Sequence, residues 1–119
     1  MSILLSEWVE WQTDRRITNI ASRGLRLKRD EIRDTLKCMG NVLSLNKLHR
    51  KIAIMYVVLK MERGESMGTA AICGLSNQVI RINAAVTTDM TAAILRLVVK
   101  WGYLEVQYGH HRSYRRTSK

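Results

Sequence analysis

The clearest periodic signal lies in LSLNKLHRKIAIMYVVLKMERG, where Leu45, Leu48, Ile52, Met55, Tyr56 and Leu59 recur at steps of three and four. That repeat belongs to one helix face turned to a core. Ile54, Val57, Val58 and Met61 form a second apolar strip on the same segment. Its C-terminal half therefore predicts cover on more than one side, from the N-terminal helices or from a second subunit.

Upstream, Ile3, Leu4, Trp8, Trp11, Ile17 and Ile20 are loosely helical in spacing. Glu7, Glu10 and Asp14 come early and Arg15, Arg16 and Arg23 late, the order a helix dipole favours. Trp8 and Trp11 read as core or dimer anchors. Gly24 interrupts, and LRLKRDEIRDTLKCMG predicts a second helix with Leu25, Ile32, Leu36 and Met39 on one side, ended by Gly40 and Asn41.

Beyond ERGES, a turn by composition, Gly68 and Gly74 break the start of the next segment, and Ser76 can cap a short helix through about Ala85. After a tight turn at AVTT, Thr87 or Thr88 can cap another helix, with Asp89 in its first turn, running to about Trp101 and stopping at Gly102. Met90, Ile94, Leu97 and Trp101 form its expected inward stripe, which leaves Leu95 and Val99 outward. The remaining YLEVQYGHHRSYRRTSK predicts a β-hairpin. Its first strand carries Tyr103, Leu104, Val106 and Tyr108, its turn falls at Gly109 and His110, and its return runs from Ser113 to Thr117. Tyr108 and Tyr114 read as a packed face.

Charge sharpens this outline. In 119 residues, 20 Lys+Arg stand against 10 Asp+Glu, a net charge of +10, and the 13 arginines outnumber the 7 lysines. Forked guanidinium groups suit phosphate, so a polyanionic partner leads. Arg23, Arg26, Lys28, Arg29, Arg33 and Lys37 form a basic run, although Asp30, Glu31 and Asp34 stand at pairing distance along a helix. Cys38 and Cys73 lack metal or redox spacing and read as small buried residues. The opening MSILLSEWVEW is too short in apolar length for a signal peptide, and no run approaches the roughly 18 apolar residues of a membrane span, so a cytoplasmic protein with no membrane partner is expected. No phosphate-binding glycine loop, nucleophile elbow or paired carboxylates beside histidine can be read, so no enzyme activity and no cofactor are expected. His110 and His111 have no nearby carboxylate or thiol to complete a metal site and read as turn-tip residues touching phosphate or water.

Two short helices, a turn, a glycine stop and a hairpin with a basic return strand follow the order that a winged helix-turn-helix requires. The fold class expected is mainly α with a C-terminal β-hairpin. Residues 1–44 would form an N-terminal helical extension for dimerisation, and 45–119 the winged helix-turn-helix domain. The second helix must offer small and hydrogen-bonding residues to base edges, and Thr87, Thr88, Asp89, Thr91, Ala92 and Arg96 supply them. The hairpin must reach phosphate, and His110, His111, Arg112, Ser113, Arg115 and Arg116 stand there.

Over residues 76–117, AAVTTDMTAAILRLVVKWGYLEV and the wing end HHRSYRRT resemble winged-helix regulators of the MarR type. The resemblance implies a two-fold dimer that reads two half-sites of double-stranded DNA as a transcriptional regulator, with the helix from Thr87 in the major groove. Proteins of that type carry a long helix after the wing. This sequence ends at Lys119, so dimer contacts are expected from residues 1–61. Two other functions compete: a nonspecific binder of RNA or single strands, disfavoured by few stackable aromatics, and a phage or plasmid accessory module binding proteins through its N-terminal helices.

Overall fold

Two helices, α1 (Leu5–Gly24) and α2 (Arg29–Cys38), lead into α3 (Leu48–Lys60), β1 (Ser66–Gly68), α4 (Thr69–Val79), α5 (Thr88–Lys100), β2 (Leu104–Gln107) and β3 (Ser113–Arg116) in the computed structural model. The structure describes residues 5–40 and 48–119, with side chains from Arg15 onward. Ile3, Leu4, Asn41, Leu45 and the side chains of Trp8 and Trp11 lie outside that description. The described chain is mainly helical with one small three-stranded antiparallel sheet.

The doubly apolar segment becomes the central helix. Ile52, Ala53, Ile54, Met55 and Val58 of α3 are fully buried, and α1, α2, α4 and α5 all pack against it. From Leu48 onward the residues of both strips are thus buried or, at Tyr56 and Leu59, half-buried within one chain. On α2, Ile32 and Leu36 face this core. The Lys28 backbone N–H donates to Glu31 Oε1 (3.1 Å), and Tyr56 Oη donates to Glu31 Oε2 (2.9 Å), tying α2 to α3. Those two donors, the backbone one first, hold the Glu31 carboxyl below the usual carboxylate range.

The joint between α1 and α2 reaches across the fold. Leu25 forms a β-bridge with Ile80, Arg26 N–H donates to Val79 O (2.8 Å), and Gly24 O accepts from Arg81 N–H (2.9 Å). Ile80 is thereby drawn into extended backbone (ψ 132°), which ends α4 at Val79 instead of near Ala85. The link from 80 to 87 is correspondingly longer than the tight turn expected. Ser76 does not cap: it sits buried inside α4 and donates back to Ile72 O (2.7 Å). The helix begins eight residues earlier than a Ser76 cap would place it, at Thr69 after Gly68.

Gly24 also makes a testable contact, because any Cβ there would collide with the His49 imidazole of α3. Gly24→Ala should destabilise the chain by about 1–3 kcal/mol through overpacking, although Ala is better than Gly within a helix by up to about 1 kcal/mol. Urea unfolding should show the loss and its recovery in Gly24→Ala/His49→Ala. A more stable Gly24→Ala chain would show that the imidazole swings aside at no cost.

The sheet has the order β1-β3-β2. Strand β1 was not anticipated; it pairs Ser66 with Arg115 and Gly68 with Ser113. Gly64, at φ 88°, turns the chain into it and donates to Arg116 O (2.8 Å). The hairpin β2–β3 is in the expected place, with Val106 opposite Tyr114 and Leu104 opposite Arg116. Leu104 and Tyr114 are buried and plug the hairpin into the shared core.

Candidate nucleic-acid interface

Helix α5 starts as its sequence dictates. Thr87 caps it, with its hydroxyl oxygen accepting from Met90 N–H (3.2 Å), and Asp89 occupies the first turn, where the exposed backbone N–H groups favour a carboxylate. The inward stripe is Thr91, Ile94, Leu95 and Val98, one position out of phase with the stripe expected through Leu97 and Trp101. Thr91 explains the shift. Its hydroxyl donates to Thr87 O (2.9 Å), so a residue that looks polar is satisfied locally and buried completely. Leu95, expected outward, is also fully buried, whereas Leu97 is 39% exposed.

The outward face of α5 consequently carries Asp89, Ala93, Arg96 and Lys100 at helical spacing, with Thr87 and Thr88 exposed at its start. Ala92 is half-buried beside them. Ala93 and Lys100 were not among the expected contacts, and the phase error hid them. Thr91 must leave that set, since nothing outside the protein can touch it as folded.

A second unanticipated residue sets the entry to α5. The Asn77 side-chain amide bonds both backbone groups of Val86: Oδ1 accepts from Val86 N–H (2.7 Å) and Nδ2 donates to Val86 O (3.0 Å). Nδ2 also donates to Cys73 O (3.2 Å). This pair of hydrogen bonds between α4 and the residue preceding the cap fixes where α5 begins. Asn77→Ala should cost about 1–3 kcal/mol by leaving the buried Val86 N–H unpaired, while Val86 O keeps the Cys73 thiol as a donor (3.3 Å), read by chemical denaturation. An unchanged midpoint would mean that the link holds without the amide.

At the hairpin, Gly102 turns the chain at φ 89°, and the base is fastened by Thr117 Oγ1 donating to Gly102 O (2.6 Å) and Lys119 Nζ to Trp101 O (2.8 Å). The tip carries Tyr108, His110, His111 and Arg112, all exposed, with the Arg112 guanidinium 5.6 Å from the Tyr108 ring centroid. Tyr108 is 80% exposed and packs no face. Ser113 is half-buried, and its hydroxyl lies 3.5 Å from Gln107 Oε1. Arg115 is exposed on the outer side of the sheet, opposite Glu105 and Ser66.

Arg116 points the other way. It is 4% exposed, lies over the Tyr103 ring (5.4 Å) with Lys119 also over that ring (4.8 Å), and donates to Thr117 O (3.2 Å). Burial, and then the neighbouring Arg63 charge, push its pKa down. The Cys38 thiol and burial push the Tyr103 phenol up. Arg116 is therefore a brace under the hairpin, not a surface contact, because it shares the inward side of β3 with Tyr114.

Among the described residues, no group of three or more metal-ligating side chains occurs, both cysteines are free, and no helix is long and apolar enough to cross a membrane. No family model matches the chain, and no curated protein or solved structure matches it significantly.

Proposed function

We propose that this chain binds double-stranded DNA as a winged helix-turn-helix protein and acts as a transcriptional regulator. The observation that carries the reading is the pairing of an outward α5 face with a braced, cation-tipped hairpin. Asp89, Ala93 and Arg96 are small or hydrogen-bonding residues suited to base edges in a major groove. Arg112 and Arg115 stand on a hairpin that Leu104, Tyr114 and Arg116 hold to the core, so little backbone freedom is lost when they meet phosphate. Strand β1 adds support: it precedes α4 and pairs with β3, which ties the hairpin to the start of the helix pair. Two-fold dimerisation follows from the resemblance to MarR-type regulators. With α3 already covered, its contacts would fall on the outer faces of the N-terminal helices.

Affinity would come mainly from phosphate contacts, with a slope of log K against log salt near −0.9 for each phosphate engaged. In gel-shift titrations, random duplex DNA should bind in preference to single-stranded RNA of equal length, and binding should weaken steeply as salt rises. Equal competition by the RNA would reject the reading.

A further inference from the structure

Between α1 and α2 lies a cavity of about 710 Å³, lined by neither α5 nor the hairpin. Two rows of side chains form its walls. On α2, Arg29, Arg33 and Lys37 repeat every four residues, which places them along one helix face about 6 Å apart in rise. From α1, Asn19 and Arg23 line it at the same step. The cations that line it, Arg15, Arg23, Arg29, Arg33 and Lys37, are exposed, and among the described residues no carboxylate lines the cavity. Asp30 and Asp34 also stand on α2, three residues before Arg33 and Lys37, but neither lines the cavity, and Glu31 is engaged by Lys28 and Tyr56.

Like charges four residues apart weaken a helix, and Arg23, facing that row from α1, adds to the repulsion. A bound anion would relieve it. Guanidinium groups offer forked donors to phosphate oxygens, and Asn19 adds a neutral donor and acceptor to the lining. The volume falls within the range of small-molecule sites, and the concavity between two helices suits a compact anion better than the convex backbone of a duplex. We infer that this groove binds a small ligand carrying two or more phosphate groups, at a site separate from the proposed DNA surface. The inference stands whether or not the duplex reading holds.

Inorganic tripolyphosphate serves as the probe, titrated calorimetrically into the full chain at low ionic strength, with sulfate at matched ionic strength as the control. One-to-one binding with a raised thermal midpoint is expected. Arg29→Gln/Arg33→Gln should weaken it by about tenfold or more, Arg33→Lys by less because charge survives but the fork does not, and Arg112→Ala/Arg115→Ala by no more than about twofold. The exposed positions of these side chains make folded variants the expectation, and circular dichroism checks it. If the double variant misfolds, Arg33→Lys and Lys37→Gln carry the same comparison. Absence of binding, equal binding of sulfate, or equal loss in the hairpin variant would overturn the inference. So would a groove variant that loses duplex binding while keeping tripolyphosphate, which would make the groove a second DNA contact.

Discussion

Leu95→Ala is expected to destabilise the chain by about 2–5 kcal/mol in urea unfolding, while Leu97→Ala, two residues on, should change stability by less than about 1 kcal/mol. The difference rests on the phase of α5. Leu95 is fully buried and belongs to the same core as Ile52, Ile54 and Val98, whereas Leu97 is more than a third exposed. Truncating Leu95 removes buried methyl groups and leaves a cavity beneath the helix that carries the proposed base contacts. Truncating Leu97 removes a side chain of which more than a third is already in water. Equal losses, or a larger loss at Leu97, would mean that α5 is rotated from the position described, and the set Asp89, Ala93, Arg96 and Lys100 would no longer share its outer face.

The double substitution Arg112→Ala/Arg115→Ala should weaken duplex binding by about tenfold for each lost charge-assisted contact, whatever the DNA sequence, and lower the salt slope by about one per contact. Both side chains are exposed, so stability should barely move. Arg112 should have the larger effect, because it stands at the hairpin tip, whereas Arg115 lies across the sheet from Glu105, which offsets part of its charge. Arg116→Ala is the contrasting case: it should lower stability through loss of the packed guanidinium over Tyr103. An intact affinity and salt slope in the Arg112/Arg115 variant would exclude the hairpin from the interface.

These expectations show where local pattern and tertiary packing part company. The central helix, the Thr87 cap, the Gly102 stop and the hairpin were legible because each depends on neighbours in sequence: apolar spacing, a capping hydroxyl, a glycine at positive φ, alternation along a strand. Strand β1 was not legible, since Ser66–Gly68 is three residues of turn-like composition whose strand character comes from pairing with β3. The early end of α4 was hidden for the same reason: Leu25, 55 positions away, takes Ile80 into a bridge. Thr91 misled through chemistry, because a threonine that satisfies its own hydroxyl on the preceding turn behaves as a core residue. Recognising that back-bond at Thr87 and Thr91 would have brought Leu95 inward and Ala93 and Lys100 into view. Arg116 misled through type, since an arginine on a basic strand reads as surface until Tyr114, two positions earlier, identifies its side of the sheet.

The most direct measurement is selection of bound sequences from a random duplex pool, run in parallel for the native chain and for Arg96→Ala. The native chain should enrich one motif built of two related half-sites about one helical turn, 10–10.5 base pairs, apart. The Arg96→Ala chain should lose preference at particular bases within each half-site while keeping the spacing. A pool that stays random through successive rounds, or a motif that Arg96→Ala leaves untouched, would contradict base reading by the outward face of α5.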